Sequence, residues 1–326
     1  SKIHQEGSGW VFCCFHSGAM SSVEKAAVVL SFVGSLVVNG LSSTGLLGGL
    51  SIGEVSDNYP TYVTPDGLTF SIWAVIYTLE LVLVIRQIQP DDYMESLLQK
   101  GCPLTGLSVR WRLVLAFVTN AIWLPVYVNL FFGMALLIII VYLAFLLSVY
   151  GNLNTKTASS FCEWLTFCAG IACNASWVVV ATCANAFTVL GQLGWKTVGQ
   201  TAAQAFEGET WEVAGTPLAA GVVAVAVAVV GIFMAAHRSD LAWSLVVSWA
   251  LAGLYRAHTV PDPESFPVEA MSRLLAEVAI WCSAVVLLAS VVGIFLGSTN
   301  RVFQGGAGLT GAVPLSLPMS TMSAKE

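Results

Sequence analysis

Long apolar runs separated by short polar links dominate the chain. Eight stand out, at roughly 24–42, 68–89, 110–129, 131–150, 164–190, 216–236, 240–257 and 271–297. Most approach the ~20 residues that a helix needs to cross a ~30 Å hydrocarbon core. In lipid only helices and closed barrels satisfy every backbone donor and acceptor. The runs are continuous rather than alternating, so the pattern predicts an all-α, polytopic transmembrane helix bundle of about eight spans. The third and fourth runs meet at Asn129 with almost no link, and Pro125 inside the third is expected to kink it. The link 191–215 is polar, with Glu207, Glu209 and Glu212. The tail 298–326 is rich in Gly, Ser and Pro and is expected to be disordered.

Composition sharpens this picture. The 326 residues are 56% hydrophobic and 10% charged, with a mean hydropathy of +0.79. A soluble domain carries about 25% charged residues, so a lipid bilayer is the expected partner. The net charge of −6 is spread over the links and argues against a nucleic-acid partner. Basic residues alternate with the eight spans. Lys2, Lys25, Arg86, Lys100, Arg110, Arg112, Lys156, Arg238, Arg301 and Lys325 fall on one side, and Lys196, Arg256 and Arg273 on the other. That asymmetry predicts both termini on the cytoplasmic or equivalent side of a plasma, plastid or other organellar membrane. Met20 opens Met20-Ser21-Ser22-Val23-Glu24-Lys25 before an apolar run, so residues 1–19 read as a leader or non-native extension. The run 26–41 could alternatively be a signal-peptide core, although no clean cleavage site follows it. The eight cysteines form no CxxC and read as small buried hydrophobes.

The stretch from Tyr59 to Tyr77 carries the most candidate chemistry. Pro65 suits a turn before a helix, and Thr64 is a plausible N-cap. Trp73, Tyr77 and Glu80 then share a helical face. Glu80 lies near the middle of its span, where a charge costs at least about 2.5–3.5 kcal/mol. It could line a pocket, face the later helices, or be a protonated acid bonded to another helix. Tryptophan and asparagine recur together in two further spans, as Asn120 with Trp123, and as a stripe of Trp177, Ala181 and Asn185. Each asparagine could line a polar-spotted pocket or bond a neighbouring helix. Ala220, Ala224 and Ala228 form a small-residue stripe suited to close helix packing, or reflect simple alanine richness. Arg273 and Glu277 read as a helix-end pair.

These motifs resemble the TspO/translocator-protein family, also called tryptophan-rich sensory proteins or peripheral benzodiazepine receptors. That family has five helices. Pro65, Gly67, Phe70, Trp73 and Tyr77 resemble the signature that opens its second helix. Asn120 and Trp123 match its third-helix motif, and Trp177, Ala181 and Asn185 its fifth. The resemblance covers roughly residues 20–190. The Phe70-to-Trp73 spacing is three where the family has four, and the family's paired prolines are reduced to Pro65. The implied organisation is a five-helix core at 20–190, three additional helices within 191–297, and the tail.

The resemblance implies a membrane binding or sensory protein for flat apolar ligands, with a porphyrin, haem or sterol as the bound molecule and no required cofactor or metal. Its implied ligand-binding residues are Pro65, Phe70, Trp73, Tyr77, Glu80, Asn120, Trp123, Trp177, Ala181 and Asn185, capped by the link 43–66. A secondary transporter is an alternative, because Glu80 and Pro125 lie within spans. So is a structural subunit of a homodimer or larger membrane complex. A retinal photoreceptor is excluded, because every lysine lies in a link or near a span's end. No nucleophile–base pair is legible, so catalysis is not expected, and the family's light-dependent porphyrin breakdown is left open.

Overall fold

The computed structural model describes residues 9–200, 210–262 and 266–307. The helices are α1 (Gly9–Ser43), α2 (Ile52–Asn58), α3 (Ile72–Arg86), α4 (Asp92–Leu98), α5 (Val109–Val128), α6 (Phe132–Tyr150), the short α7 (Phe161–Glu163), α8 (Ala169–Gln192), α9 (Pro217–Phe233), α10 (Leu241–Ala257) and α11 (Arg273–Ala307). A 3-10 turn, Gly67–Ser71, leads into α3. A π turn, Trp164–Cys168, joins α7 to α8, and a second, Met234–Arg238, extends α9. Each expected span has its helix. Seven helical stretches among the described residues are long and apolar enough to cross a membrane; α10, at 17 residues, is shorter.

Polar residues at the link boundaries start these helices. Ser108, Thr216 and Asp240 accept bonds from the backbone N–H of Trp111, Ala219 and Trp243. This satisfies donors that a helix's first turn leaves open. Pro217 follows Thr216 at the first helical position, where it has no N–H to lose.

Five helices close into a ring in the spatial order α1, α5, α6, α8, α3 and back to α1. α10 packs on the outside of α8, and α9 and α11 pack on α10 and on each other. The stripe Ala220, Ala224 and Ala228 is buried. Its first two members face α8 and α10 across Val180, Ala250 and Leu251, so the stripe serves packing within the chain.

The structure corrects several local expectations. The polar link 191–215 contains an antiparallel hairpin, β1 (Lys196–Gln200) with β2 (Thr210–Ala214); Glu207 and Glu209 lie outside the described residues. Thr64 does not cap α3. Its hydroxyl bonds that of Thr61 at 2.8 Å, and Asp66 occupies the cap position of the 3-10 turn. α11 continues to Ala307, past the expected end at 297, and the rest of the tail lies outside the described residues.

At one end of the bundle Arg110, which is fully buried, holds the α3–α5 link. It donates to both carboxylate oxygens of Glu95 at 2.7 Å and to the Gln87 side chain at 3.0 Å. Those hydrogen bonds hold the Glu95 carboxyl down at about 2. A carboxyl with a lowered folded pKa stabilises above its unfolded value, near 4.5, and loses that contribution as pH falls toward its folded value. The gap in apparent melting temperature between wild type and Glu95→Gln in detergent is therefore expected to be widest above pH 4.5 and to narrow toward pH 2. A gap that does not change with pH would locate the pair's contribution elsewhere.

Candidate functional site

The other end of the bundle is covered by the link between α1 and α3. This link is pinned from three directions. Pro60 O accepts from Ala214 N at 3.0 Å, and Tyr62 N donates to Ala214 O at 3.2 Å, joining the link to β2. The Tyr62 ring stacks on His258 at 6.0 Å, after the end of α10. Arg256 Nε donates to Asp66 Oδ2 at 2.8 Å, and Asp66 N donates to Gly253 O at 3.2 Å. Gly253 is required here because a Cβ would run into the Thr69 side chain, which itself donates to Asp66.

A cavity of about 430 Å³ opens between this link and the end of α10. Pro65, Thr64, Phe70, Arg256 and Phe266 are among its walls. Phe70 is shared between the cavity and the bundle interior, because its ring meets Trp177 edge-on at 5.7 Å. Trp177 also meets Trp73 edge-on at 6.3 Å, and Trp73 stacks on Tyr77 at 5.3 Å. α3 and α8 thus bring Phe70, Trp73, Tyr77 and Trp177 into one aromatic cluster beneath the cavity. Trp123 is buried but packs on Tyr127 of its own helix at 5.7 Å. Ala181 is partly buried one turn beyond Trp177, and Asn185 is buried two turns beyond it.

Below the aromatics lies a polar belt. Asn39 Nδ2 on α1 donates to Asn120 Oδ1 on α5 at 2.9 Å. Asn120 Nδ2 donates to the Tyr142 hydroxyl on α6 at 2.9 Å. Asn174 Nδ2 on α8 donates to the same hydroxyl at 2.6 Å and to Glu80 Oε1 on α3 at 2.5 Å. All five ring helices contribute to it. Buried polar groups in an apolar medium are costly unless bonded, and here each helix supplies a partner for the next. Glu80 is 1% exposed and bonds to α8, whereas Asn120 bonds to α1 and α6. Asn39, Tyr142 and Asn174 were not among the sequence candidates. Their signal was present as isolated polar atoms inside apolar runs.

One turn from the belt toward the cavity, on α3, α5, α8 and α1, stand Tyr77, Trp123, Trp177 and Ser42. Each is three residues from a belt member, about 4.5 Å of rise. In this layer Trp123 Nε1, Trp177 Nε1 and Ser42 Oγ, and two turns beyond Trp177 both amide atoms of Asn185, are buried with no hydrogen-bond partner among the described residues. Most buried side-chain polar atoms have partners, so this layer of the bundle is under-satisfied.

These features define an integral membrane protein of the helical-bundle class, with an interior organised around aromatic and amide side chains. The chain belongs to the family of TSPO-like proteins, whose family model matches residues 25–292 and so takes in α9, α10 and part of α11 as well as most of the five-helix ring. No curated protein matches the chain, and no solved structure matches it.

Proposed function

We propose that this chain is a membrane binding and sensory protein for flat apolar ligands of tetrapyrrole or sterol type. The observation that carries the reading is the set of buried, unpartnered polar atoms on Trp123, Trp177 and Asn185. These are three of the residues that the family resemblance marks. A ligand presenting acceptors at its rim, or waters entering with it, would supply the missing partners. The aromatic cluster offers ring faces and edges for a planar guest, and the 430 Å³ cavity is within the range of small-molecule sites. Phe70, between cavity and cluster, is the side chain that must turn for a guest to reach Trp177. Titrating the purified protein in detergent with a porphyrin, followed by its Soret band, is expected to show saturable binding. Phe70→Ala should speed association by removing the partition. A linear, unsaturable response in the wild type would reject the reading.

Orientation in the membrane belongs to the same proposal. The Tyr93 hydroxyl donates to Thr157 O at 2.8 Å, which places the α3–α5 and α6–α7 links at one end of the bundle. Lys25, Arg86, Lys100, Arg110, Arg112, Lys156 and Arg238 lie at this end, and we assign it to the cytoplasmic or equivalent side. Reporter fusions after Arg86 and Lys156 are expected to report the same side, and a fusion between β1 and β2 the opposite one. Agreement of all three would overturn the assignment.

A further inference from the structure

We infer that the cavity under the α1–α3 link accepts neutral or cationic amphiphiles and discriminates against dianions; the inference rests on reading that cavity as the ligand's entry site. Three carboxylates, Asp57, Asp66 and Asp262, line it against one cation, Arg256. That cation is already engaged, its Nε 2.8 Å from Asp66 Oδ2. Asp66 is in turn held by the Thr69 hydroxyl and through its own backbone by Gly253. Asp57 and Asp262 are exposed and leave the mouth of the cavity negative.

The rest of this end of the bundle offers an incoming anion little help. Its described basic side chains are Lys196, Arg256 and Arg273. Lys196 lies 2.7 Å from Glu212, and Arg273 lies 3.6 Å from Glu277. Every one of these cations therefore has a carboxylate partner. The remaining wall is apolar or hydroxylic. Pro65, Leu68, Phe70 and Phe266 supply apolar surface, and Thr61 and Thr64 face each other with hydroxyls 2.8 Å apart. Such a wall can hydrogen-bond an alcohol, ester or carbonyl without a charge. A ligand with two free carboxylates would bring them close to Asp57 and Asp262, where like charges repel. It would otherwise have to pull Arg256 away from Asp66.

Protoporphyrin and its dimethyl ester share one ring system and differ in those two charges, so they isolate the effect. Titration of the full chain in a neutral detergent is expected to give about fivefold tighter binding of the ester. Raising the salt concentration should narrow the gap by screening. The double variant Asp57→Asn, Asp262→Asn should narrow it at low salt; both side chains are exposed, so folding should be retained. Equal or tighter binding of the diacid would overturn the inference while leaving the cavity as the ligand site. Loss of that binding in Arg256→Gln would then show that Arg256 leaves Asp66 for the ligand. Absence of saturable binding by both probes would overturn the reading of the cavity itself, and the inference with it.

Discussion

Replacing Glu80 with leucine is expected to destabilise the protein by about 1–2 kcal/mol, whereas glutamine in its place should be nearly neutral. Hydrogen bonds between transmembrane helices average only about 0.6 kcal/mol, because unfolded helices in lipid find other partners. Glu80 stands apart from that average for a specific reason. Its Oε1 accepts from Asn174 Nδ2 at 2.5 Å, and Asn174 Oδ1 is already buried without a partner. Leucine would leave one amide hydrogen of Asn174 with nothing to bond, adding a second orphan to the same side chain. Gly170, one turn from Asn174, lets α8 lie close against the α3 backbone at Leu79 and Glu80, so the helices cannot easily shift to compensate. Glutamine keeps an oxygen of the same reach. Thermal unfolding in detergent, followed by tryptophan fluorescence, distinguishes the two variants. Equal stability of wild type, glutamine and leucine forms would show that the belt does not hold the ring together. If glutamine folds normally but changes ligand affinity, the acid also has a role in binding.

The eight long helices were legible in the sequence because each is a long apolar run bounded by charges or cap residues, and a bilayer leaves such runs no other structure; the short α2, α4 and α7 were not. The hairpin was not. β1 shows only a weak alternation between exposed and half-buried positions, and what positions β2 is its backbone pairing with Pro60 and Tyr62, some 150 residues earlier in the chain. The order of the ring was equally hidden. α8 packs between α6 and α3, so Asn174 finds its acceptors on Tyr142 and Glu80, 32 and 94 residues away. A helical wheel shows that Trp73, Tyr77 and Glu80 share a face, but not which neighbour that face meets. For the same reason Trp123 and Trp177 looked equivalent. The structure puts Trp177 among the aromatics of α3 and leaves Trp123 against Tyr127, one turn along its own helix. Thr64 resembled a cap by residue type, yet its hydroxyl is taken by Thr61.

Truncating Trp177 to alanine is expected to have the largest effect on both stability and binding. The side chain is 1% exposed and contacts Phe70 and Trp73 edge-on, so its removal opens a void that the cluster cannot fully close. A buried Trp-to-Ala change costs about 3–5 kcal/mol in a packed interior. A ring contact between Trp177 and a planar guest would be worth about 0.5–1.5 kcal/mol beyond its area, so porphyrin affinity should fall at least several-fold. Two companion variants separate binding from folding. Trp177→Phe keeps a ring against Phe70 and Trp73 and removes the unpartnered Nε1–H together with part of the indole's volume. If that donor meets an acceptor on the ligand, affinity should fall while the loss of stability stays well short of that of the alanine variant. Ala181→Leu adds volume one turn nearer the cavity end, on the helix face that carries Trp177, and should weaken binding by filling space that a planar guest needs. Soret titrations of wild type and the three variants, each checked for a cooperative melt, test the argument. Unchanged affinity in Trp177→Phe and Ala181→Leu, both folded, would place the ligand away from α8 and leave Trp177 with a packing role alone.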